Sequence, residues 1–510
     1  MKQLTDLEYL RLSKGKRLLH KLGSFFASIP AGIVNGLASL GRGIKKAAVG
    51  LRDNVADIFT TFREGDWSAK ASFLVMGTGN MAHGQWLRGL LFLLFEVVFI
   101  VYMITGGTYW LSMLPSLGKQ GPTLEYDPIY DIDVVTYHDN SFKILLYGVL
   151  TIFFIIALIY TWRVNIRQNK LIAQIERSGK KLKSGKDDLR SLVDDQFHKT
   201  LLALPLTGIL LFTVLPIFFM ILVAFTNYSG TNNGYTNNLF TWVGLTNFNT
   251  LLSWEAVGGQ SYAATFGEVL AWTLIWAFFA TFTNYFLGML VAMLINKKGI
   301  KLKKLWRTVL VMTIAVPQFI SLLYVSKMFA KNGLINNFLM SMGWITKALP
   351  FWEDPTWARI TVILINIWIG IPYLMLITTG ILMNIPQDLY ESSRIDGANA
   401  WQQYTRITLP YMLFVTGPYL LTSFTGNMNN FNVIYLLTGG APTNAAASSA
   451  AGSVGYTDLL ITWLFKITTG AEAQYYMASV IGIMVFAVVA LISLVVYRCL
   501  PSIKNEEDFQ

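Results

Sequence analysis

Cysteine and histidine are scarce in this chain. Its 510 residues include one cysteine, Cys499, and four histidines. A single cysteine excludes a disulfide within the chain. The histidines lie too far apart in sequence for the ligand spacing of a zinc site, at positions His20, His83, His138 and His198. We therefore expect neither a disulfide framework nor a metal site.

Charged side chains are also few. They make up 14% of the residues, whereas 54% are hydrophobic, and long apolar blocks of this kind exclude a soluble protein of this size. A helix needs about 20 apolar residues to cross the ~30 Å hydrocarbon core of a bilayer. Eight runs satisfy this, near residues 88–107, 142–162, 200–226, 268–295, 308–330, 357–382, 408–438 and 476–498. The predicted fold class is an all-α membrane protein with eight transmembrane helices.

The few charges are distributed asymmetrically. Of 40 lysines and arginines, 33 lie in the segments 1–88, 163–199, 296–307, 383–406 and 498–510. The alternate loops hold four, at 108–141, 227–266, 331–356 and 439–474. Basic residues concentrate on the cytoplasmic side of bacterial membrane proteins, so both termini are predicted to be cytoplasmic. Anionic lipid headgroups then account for the net charge of +11, and we expect no nucleic-acid partner.

A nucleotide-binding loop is missing as well. The nearest match, GKKLKSGKD at 179–187, has one residue too many between its glycines and Asp187 where a Mg²⁺-binding hydroxyl should stand. This segment is predicted to be a solvated cytoplasmic linker. If the protein drives uptake with ATP, a separate chain must bind the nucleotide and its Mg²⁺, and we expect no cofactor in this chain.

Five regions follow from these patterns. They are a basic N-terminal region (1–87), a transmembrane hairpin (88–162), a charged linker (163–199), a six-helix core (200–498) and a cytoplasmic tail (499–510). Within the first region, 24–62 shows apolar residues at helical spacing and predicts a helix on the membrane surface. A partly ordered tail is the alternative, because glycines weaken a helix. Glu96 lies inside the first span, where a carboxylate is costly and should be paired or turned into the protein.

Two spans of the core carry polar stripes at the spacing i, i+3, i+4 and i+7, which places each set on one helix face. The first stripe consists of Asn366, Ile369, Gly370 and Tyr373, and the second of Ser423, Gly426, Asn427 and Asn430. Amides and hydroxyls cannot face lipid cheaply. They either join helices by hydrogen bonds or line a passage for a polar, uncharged solute such as a sugar.

A polar segment at 386–410, the elbow loop, separates these two spans. Asn384 can cap a first short helix that has Pro386 in its first turn and runs to Ile395. Gly397 permits a sharp turn, and Asp396 is predicted to cap a second short helix that ends near 406. The pattern predicts two short cytoplasmic helices joined at an elbow. A surface loop without a function is the alternative.

The elbow loop carries a recognisable motif. The run ESSRIDGA at 391–398, followed by ITLP at 407–410, resembles the EAA loop of ABC importer permeases. The similarity extends over about 200–498. It includes NIPQDLYE at 384–391, LLTGGAP at 436–442 and GYTDLL at 455–460, and it indicates the permease family of maltose and maltodextrin importers.

The resemblance implies roles for the elbow loop. In this family the loop forms coupling helices that insert into a cleft on a separate ATPase subunit. By position, Glu391 would be the acidic contact, Asp396 the cap and Gly397 the elbow, followed by Ala398. Ser392 and Ser393 replace the two alanines of the family pattern. The implied partners are a homologous second permease, two ATPase subunits that bind ATP and Mg²⁺, and an extracellular sugar-binding protein, so the chain itself would not be an enzyme.

The resemblance also implies that both stripes form the sugar site in the middle of the membrane. One position departs, because Gly426 stands where the maltose permease has an aromatic that stacks on the sugar. This implies a wider cavity, for longer maltodextrins or another oligosaccharide. The loop 227–266 is also much shorter than the folded domain that maltose permeases of two-membraned bacteria carry there. An ion-driven secondary transporter is the less favoured alternative, since it needs charged groups along the path.

Overall fold

The computed structural model describes residues 43, 45–46, 50, 52, 54–179, 182, 185–231, 239–255, 261–297, 299–447, 453–470 and 472–499. Most of the membrane-surface helix predicted at 24–62 therefore lies outside the described residues. Its last part is helical, within a helix over 54–64.

Helices account for most of the described chain. In chain order they are α1 (Trp67–Ala71), α2 (Thr78–Ala82), α3 (Trp86–Met113), α4 (Ser141–Arg177), α5 (Gly185–Val193), α6 (Phe197–Val223), α7 (Thr246–Leu252), α8 (Tyr262–Asn296), α9 (Lys303–Ala315), α10 (Gln318–Met328), α11 (Leu334–Ser341), α12 (Pro355–Leu382), α13 (Gln387–Ile395), α14 (Ala400–Met428), α15 (Phe431–Leu437), α16 (Leu460–Thr469) and α17 (Tyr475–Cys499). Between α3 and α4 an antiparallel hairpin pairs β1 (Thr123–Asp127) with β2 (Ile132–Thr136).

Seven helices of the described chain are long and apolar enough to cross a membrane, namely α3, α4, α6, α8, α12, α14 and α17. The pair α9 and α10 makes an eighth span if the two are counted together. The predicted all-α membrane class is thus confirmed.

The fifth predicted span, 308–330, is not a continuous helix. An 89° bend separates α9 from α10. Val316 is extended (φ −77°, ψ 127°), and Pro317 follows it. A proline disfavours the α conformation of the residue before it, so the helix stops although the apolar run continues. The seventh span is also shorter than predicted, because α14 ends at Met428 and α15 is a separate helix.

The chain divides into two compact units, the first formed by 1–109 and 150–209 and the second by 110–149 and 210–510. In the first unit, short helices pack on the second half of α4 through buried amides. The Asn165 side-chain oxygen accepts hydrogen bonds from the Ser72 hydroxyl and the Gly77 N–H, both at 3.0 Å. Glu96 accepts a hydrogen bond from the Met76 N–H at 2.7 Å, so this carboxylate is paired as expected.

The second unit holds the apolar core and both stripes. Two of its long helices begin with side-chain caps: Ser261 caps α8, and Asp354 caps α12 with Pro355 at the first position. Trp276 and Trp463 are fully buried in this core. Helices α8 and α12 approach closely at Gly288, where a β-carbon would lie 2.7 Å from Leu374 Cβ. Small residues at such crossings let membrane helices pack backbone to backbone.

Candidate functional site

The first stripe lies on α12 and packs against α8. Asn366 is buried, and its backbone carbonyl accepts a weak hydrogen bond from Asn284 Nδ2 at 3.5 Å. Gly370 touches the same side chain, since a β-carbon there would lie 2.7 Å from Asn284 Cγ. Ile369 packs on the apolar core, whereas Tyr373 is 52% exposed. The stripe therefore has a closed part around Asn366 and an open end at Tyr373.

The second stripe lies on α14 and is more open. Asn427 donates a hydrogen bond from Nδ2 to the Thr281 hydroxyl of α8 at 3.0 Å, and Ser423 is partly buried beside Tyr419. Gly426 is exposed, and no atom lies within 4 Å of the position that its β-carbon would occupy. The space beside Gly426 is thus unfilled by other residues of the described chain.

The prediction that all four residues of the second stripe share one helix face is wrong for Asn430. Helix α14 ends at Met428, and Asn430 caps α15 by accepting a hydrogen bond from the Val433 N–H. Its Nδ2 still reaches Asn427 Oδ1 at 3.4 Å. The residue therefore joins the polar cluster through the helix break rather than through helical spacing.

Two residues of α8, Thr281 and Asn284, join the stripes and were not predicted. Both are buried, at 1% and 5% exposure. They lie in and just after a π-helical turn, Phe279–Thr283, which contacts both α12 and α14. Such turns occur frequently at functional sites. The one sequence signal was the polar run TFTN at 281–284 inside an otherwise apolar span.

The cluster is polar but carries no charge. The segments 269–296, 360–382 and 407–437 contain no Asp, Glu, Lys, Arg or His. Asn366 Nδ2 and Asn284 Oδ1 are buried without a hydrogen-bond partner among the described residues. A buried unpaired amide group costs about 1–3 kcal/mol. One donor and one acceptor in the closed part of the cluster are thus unpaired within the described residues.

The elbow loop has the predicted elbow with different caps. Helix α13 covers 387–395, and Gly397 adopts φ +77°, the left-handed conformation that glycine tolerates best. Asp396 lies at the C-terminal end of α13 and does not cap the next helix. Asn399 does so, in a capping box with Gln402. The prediction that Asn384 caps α13 is also wrong, because the N-cap residue of α13 is Pro386, which makes no side-chain hydrogen bond.

The second short helix of the loop is not separate. Helix α14 starts at Ala400 and continues through a π-helical turn, Tyr404–Thr408, past Pro410 into the span. Pro410 lies inside this helix, just after the π-helical turn that interrupts the regular hydrogen-bond pattern there, so it did not mark the start of the helix. The elbow is therefore continuous with the helix that carries the second stripe.

Hydrogen bonds brace the elbow internally. Gln403 Nε2 donates to the Ser393 hydroxyl at 2.7 Å and to the Tyr390 carbonyl at 3.1 Å. The Ser392 hydroxyl donates back to the carbonyl of Asp388. Serine in place of the second alanine thus ties α13 to the start of α14. Glu391 is exposed on the same helix, and Ala398 is partly buried behind the turn.

Apolar side chains are exposed on the elbow. Ile395 is 88% exposed and Trp401 70% exposed. Large apolar groups of this kind beside charged residues are typical of a surface that another protein covers.

The motifs LLTGGAP and GYTDLL pack on each other near α16. Thr438 and Thr457 share a hydrogen bond between hydroxyls at 2.8 Å. The buried Asp458 pairs with Lys466 at 2.6 Å and accepts a hydrogen bond from the Gly455 N–H. Burial raises the pKa of the Asp458 carboxyl, and the Lys466 ammonium offsets that rise only in part. The two motifs are thus joined in one hydrogen-bonded cluster.

Comparison with known proteins places the chain in a family. Residues 284–504 match the family described as "Binding-protein-dependent transport system inner membrane component". The maltodextrin transport system permease protein MalC of Streptococcus pneumoniae is 33% identical over 452 residues, covering 86% of this chain and 97% of that protein. The galactooligosaccharides transport system permease protein GanP of Bacillus subtilis is 31% identical, covering 85% of this chain and 97% of that protein.

The maltose/maltodextrin transport system permease protein MalF of Vibrio parahaemolyticus matches over a shorter stretch, with 36% identity over 236 residues and 44% of its own length covered. This chain therefore matches MalC over nearly the full length of MalC, but it matches MalF over less than half of the length of MalF. The chain belongs to the family of inner-membrane permease components of binding-protein-dependent transport systems.

Proposed function

We propose that this chain is the transmembrane subunit of an ATP-driven importer for maltodextrin-like oligosaccharides, with both termini in the cytoplasm of a bacterium. Its proposed partners are a second, homologous permease, two ATPase subunits that bind ATP and Mg²⁺, and an extracellular sugar-binding protein. The relatives MalC and GanP are named as permeases of maltodextrin and galactooligosaccharide transport systems, which supports an oligosaccharide substrate.

The uncharged amide cluster shared by α8, α12 and α14 is the observation that carries this proposal. Asn427 presents a neutral donor and acceptor beside the open space at Gly426, and Asn366 and Asn284 add unpaired amide groups in the closed part of the same cluster. Sugar hydroxyls both donate and accept, so they match such groups without a charge. An ion-driven transporter would need carboxylates in the same place, and these segments contain none.

In this proposal, the elbow couples the movement of the ATPase subunit to the helix that carries the second stripe. Because α14 runs without a break from Ala400 to Met428, a force on the elbow is transmitted along one helix to Asn427. The exposed Glu391 and Ile395 offer a charged and an apolar contact to a separate ATPase. Closure of that ATPase would then move the second stripe relative to the first.

Replacing Gly397 tests the coupling. No atom lies within 4 Å of its missing β-carbon, so a new side chain meets no obstacle and only the backbone conformation opposes it. Gly397→Val should be strained by about 1–3 kcal/mol at φ +77°. We expect uptake of radiolabelled maltodextrin by the reconstituted complex to fall at least about tenfold while ATP hydrolysis continues.

Gly397→Asn is the matched control, because asparagine tolerates the left-handed conformation. It should retain most of the uptake. Normal uptake with Gly397→Val, or equal loss with both variants, would refute the role of the elbow.

A galactooligosaccharide substrate is the second candidate. Gly426 leaves open space where the resemblance implies an aromatic, and one relative is named for these sugars. Uptake of maltodextrins and galactooligosaccharides by the same complex, each with and without the other as a competitor, distinguishes the two.

A further inference from the structure

A cavity of about 430 Å³ lies beside the elbow, away from the stripes. Its walls come from four elements of the second unit: the end of α8, the start of α9, the end of α12 and the helix α13. The segment between α8 and α9 is one of the basic loops predicted to face the cytoplasm. The cavity therefore lies where span helices end and meet the predicted inner membrane surface.

Three cations line this cavity against one acid. Lys303, Arg307 and Arg394 face Glu391 there. Within the described residues none of the three cations takes part in an ion pair. The cavity thus carries an excess of positive charge that the described chain does not neutralise.

The two cations of α9 are held in place by one residue, Asn296, through its backbone carbonyl and its side-chain oxygen. Lys303 Nζ donates to the Asn296 carbonyl at 3.0 Å, and an Arg307 terminal nitrogen donates to the Asn296 side-chain oxygen. Arg307 Nε is buried and has no hydrogen-bond partner among the described residues. The hydrogen bond to Asn296 thus fixes the orientation of the Arg307 guanidinium, and the Nε–H group can still donate to an oxygen of a bound ligand. Guanidinium groups bind phosphate oxygens through pairs of such donors.

The remaining wall of the cavity is apolar. This apolar part consists of Leu382 at the end of α12 and of Met383 and Ile385 just after it, and Met383 is 64% exposed. The phosphate of a phospholipid would contact the cations, and its glycerol and acyl chain would contact the apolar residues. Free phosphate would contact only the cations. Basic pockets between span helices on the cytoplasmic side are a known kind of lipid headgroup site.

We propose that this cavity binds the phosphate headgroup of an anionic phospholipid, with Arg307 and Lys303 as its main contacts. The bound lipid would touch Tyr390 and Arg394 of the elbow loop. The inference does not depend on the transported sugar or on the ATPase, and its test reads lipid binding rather than uptake.

The experiment measures lipid retention on the assembled complex. Complexes of wild type and of the double variant Lys303→Gln/Arg307→Gln are equilibrated with mixed phosphatidylglycerol and phosphatidylcholine, purified in mild detergent and analysed for bound lipid by mass spectrometry. Each cation near an anionic surface contributes about fivefold to lipid affinity. We expect wild type to enrich phosphatidylglycerol and the double variant to lose at least about fivefold of that enrichment.

The matched control removes the same charge from the same basic segment. Lys301 and Lys304 are exposed and do not line the cavity, so Lys301→Gln/Lys304→Gln removes only the general attraction of basic residues to anionic lipid and should lose clearly less enrichment than the cavity variant. Arg307→Lys keeps the charge and should retain part of the enrichment, which separates loss of the site from loss of folding.

Two results would overturn the proposal. One is equal phosphatidylglycerol enrichment in wild type and the cavity variant, or an equal loss in the control variant. The other is displacement of the lipid by millimolar inorganic phosphate, which would make the cavity a site for a soluble phosphate. Failure of the sugar or coupling experiments above would leave the lipid measurement unaffected.

Discussion

The two polar stripes have the same predicted spacing and different surroundings. On α12, Gly370 is closed by the Asn284 side chain, and Asn366 is buried beside it. On α14, Gly426 faces open space, and the adjacent Asn427 is only partly buried. Each stripe contains a glycine near an amide side chain. Gly370 permits close contact between α12 and α8, whereas Gly426 leaves empty space beside α14.

This difference shows that the two interpretations of a polar stripe do not exclude each other. Interhelical hydrogen bonding, one alternative that the spacing left open, describes the closed part around Asn366 and Asn284. A lining surface for a solute, the other alternative, fits the open part around Gly426 and the exposed Tyr373. The predicted site is therefore closely packed in one half and open in the other.

Asn427→Leu should have the largest effect on transport. The leucine removes the neutral donor and acceptor from the open part, and we expect oligosaccharide uptake to fall at least about 100-fold, because several kcal/mol of hydrogen bonding to the sugar are lost. Uptake by membrane vesicles and assembly by size-exclusion chromatography are the measurements.

Two control variants separate binding from packing at this position. Thr281→Val breaks the hydrogen bond that Asn427 makes to α8 and keeps the asparagine. Asn429→Leu replaces a nearby exposed asparagine whose side chain donates to the Thr425 carbonyl of the same helix. Both should retain uptake within about threefold. A loss in Thr281→Val as large as in Asn427→Leu would make the second stripe a packing feature like the first.

Gly370→Ala should have an intermediate effect, on stability. The new methyl group would lie 2.7 Å from Asn284 Cγ, so Asn284 must turn and give up its 2.8 Å hydrogen bond to the Ala280 carbonyl. We expect a loss of about 1–3 kcal/mol, measured as a lower melting temperature of the purified complex.

A double variant tests the cause of that loss. Asn284→Ala removes the obstacle, so Gly370→Ala should cost much less in its presence, and the interaction energy of the cycle should exceed about 0.5 kcal/mol. Additive effects would mean that Gly370 is constrained by something other than Asn284.

Gly426→Ala should have the smallest effect and completes the matched pair. Its β-carbon meets nothing within 4 Å, and alanine favours a helix over glycine by about 1 kcal/mol. We expect the melting temperature to stay equal or to rise slightly, with uptake retained. A destabilisation as large as that of Gly370→Ala would remove the distinction between a closed and an open stripe.

Prediction from the sequence succeeded where a local property decides the structure. Apolar run length located the spans, because backbone groups in lipid must be bonded within their own helix. The left-handed Gly397 was predictable for a similar reason, since few other residues adopt that conformation readily. The caps of the elbow were less predictable. Asp396 and Asn399 are both good capping residues, and only the position of the turn relative to α14 selects Asn399.

Prediction failed where a count of apolar residues hides a break in a helix, and where residues distant in sequence decide the structure. The bend at Pro317 and the break after Met428 interrupt apolar runs that a count of hydrophobic residues treats as continuous. Thr281 and Asn284 were missed because two isolated polar residues in a span give no stripe of their own. Their importance arises from the π-helical turn, which brings them against α12 and α14.

By itself, the sequence determined which segments can enter the bilayer, which spans carry polar groups and where the elbow loop turns. These properties depend on side-chain polarity and backbone conformation over a few residues. Only the tertiary structure decided that the Asn284 side chain occupies the space beside Gly370 and that the space beside Gly426 is empty. The space beside a residue is set by the neighbouring helix, and helical spacing contains no information about that neighbour.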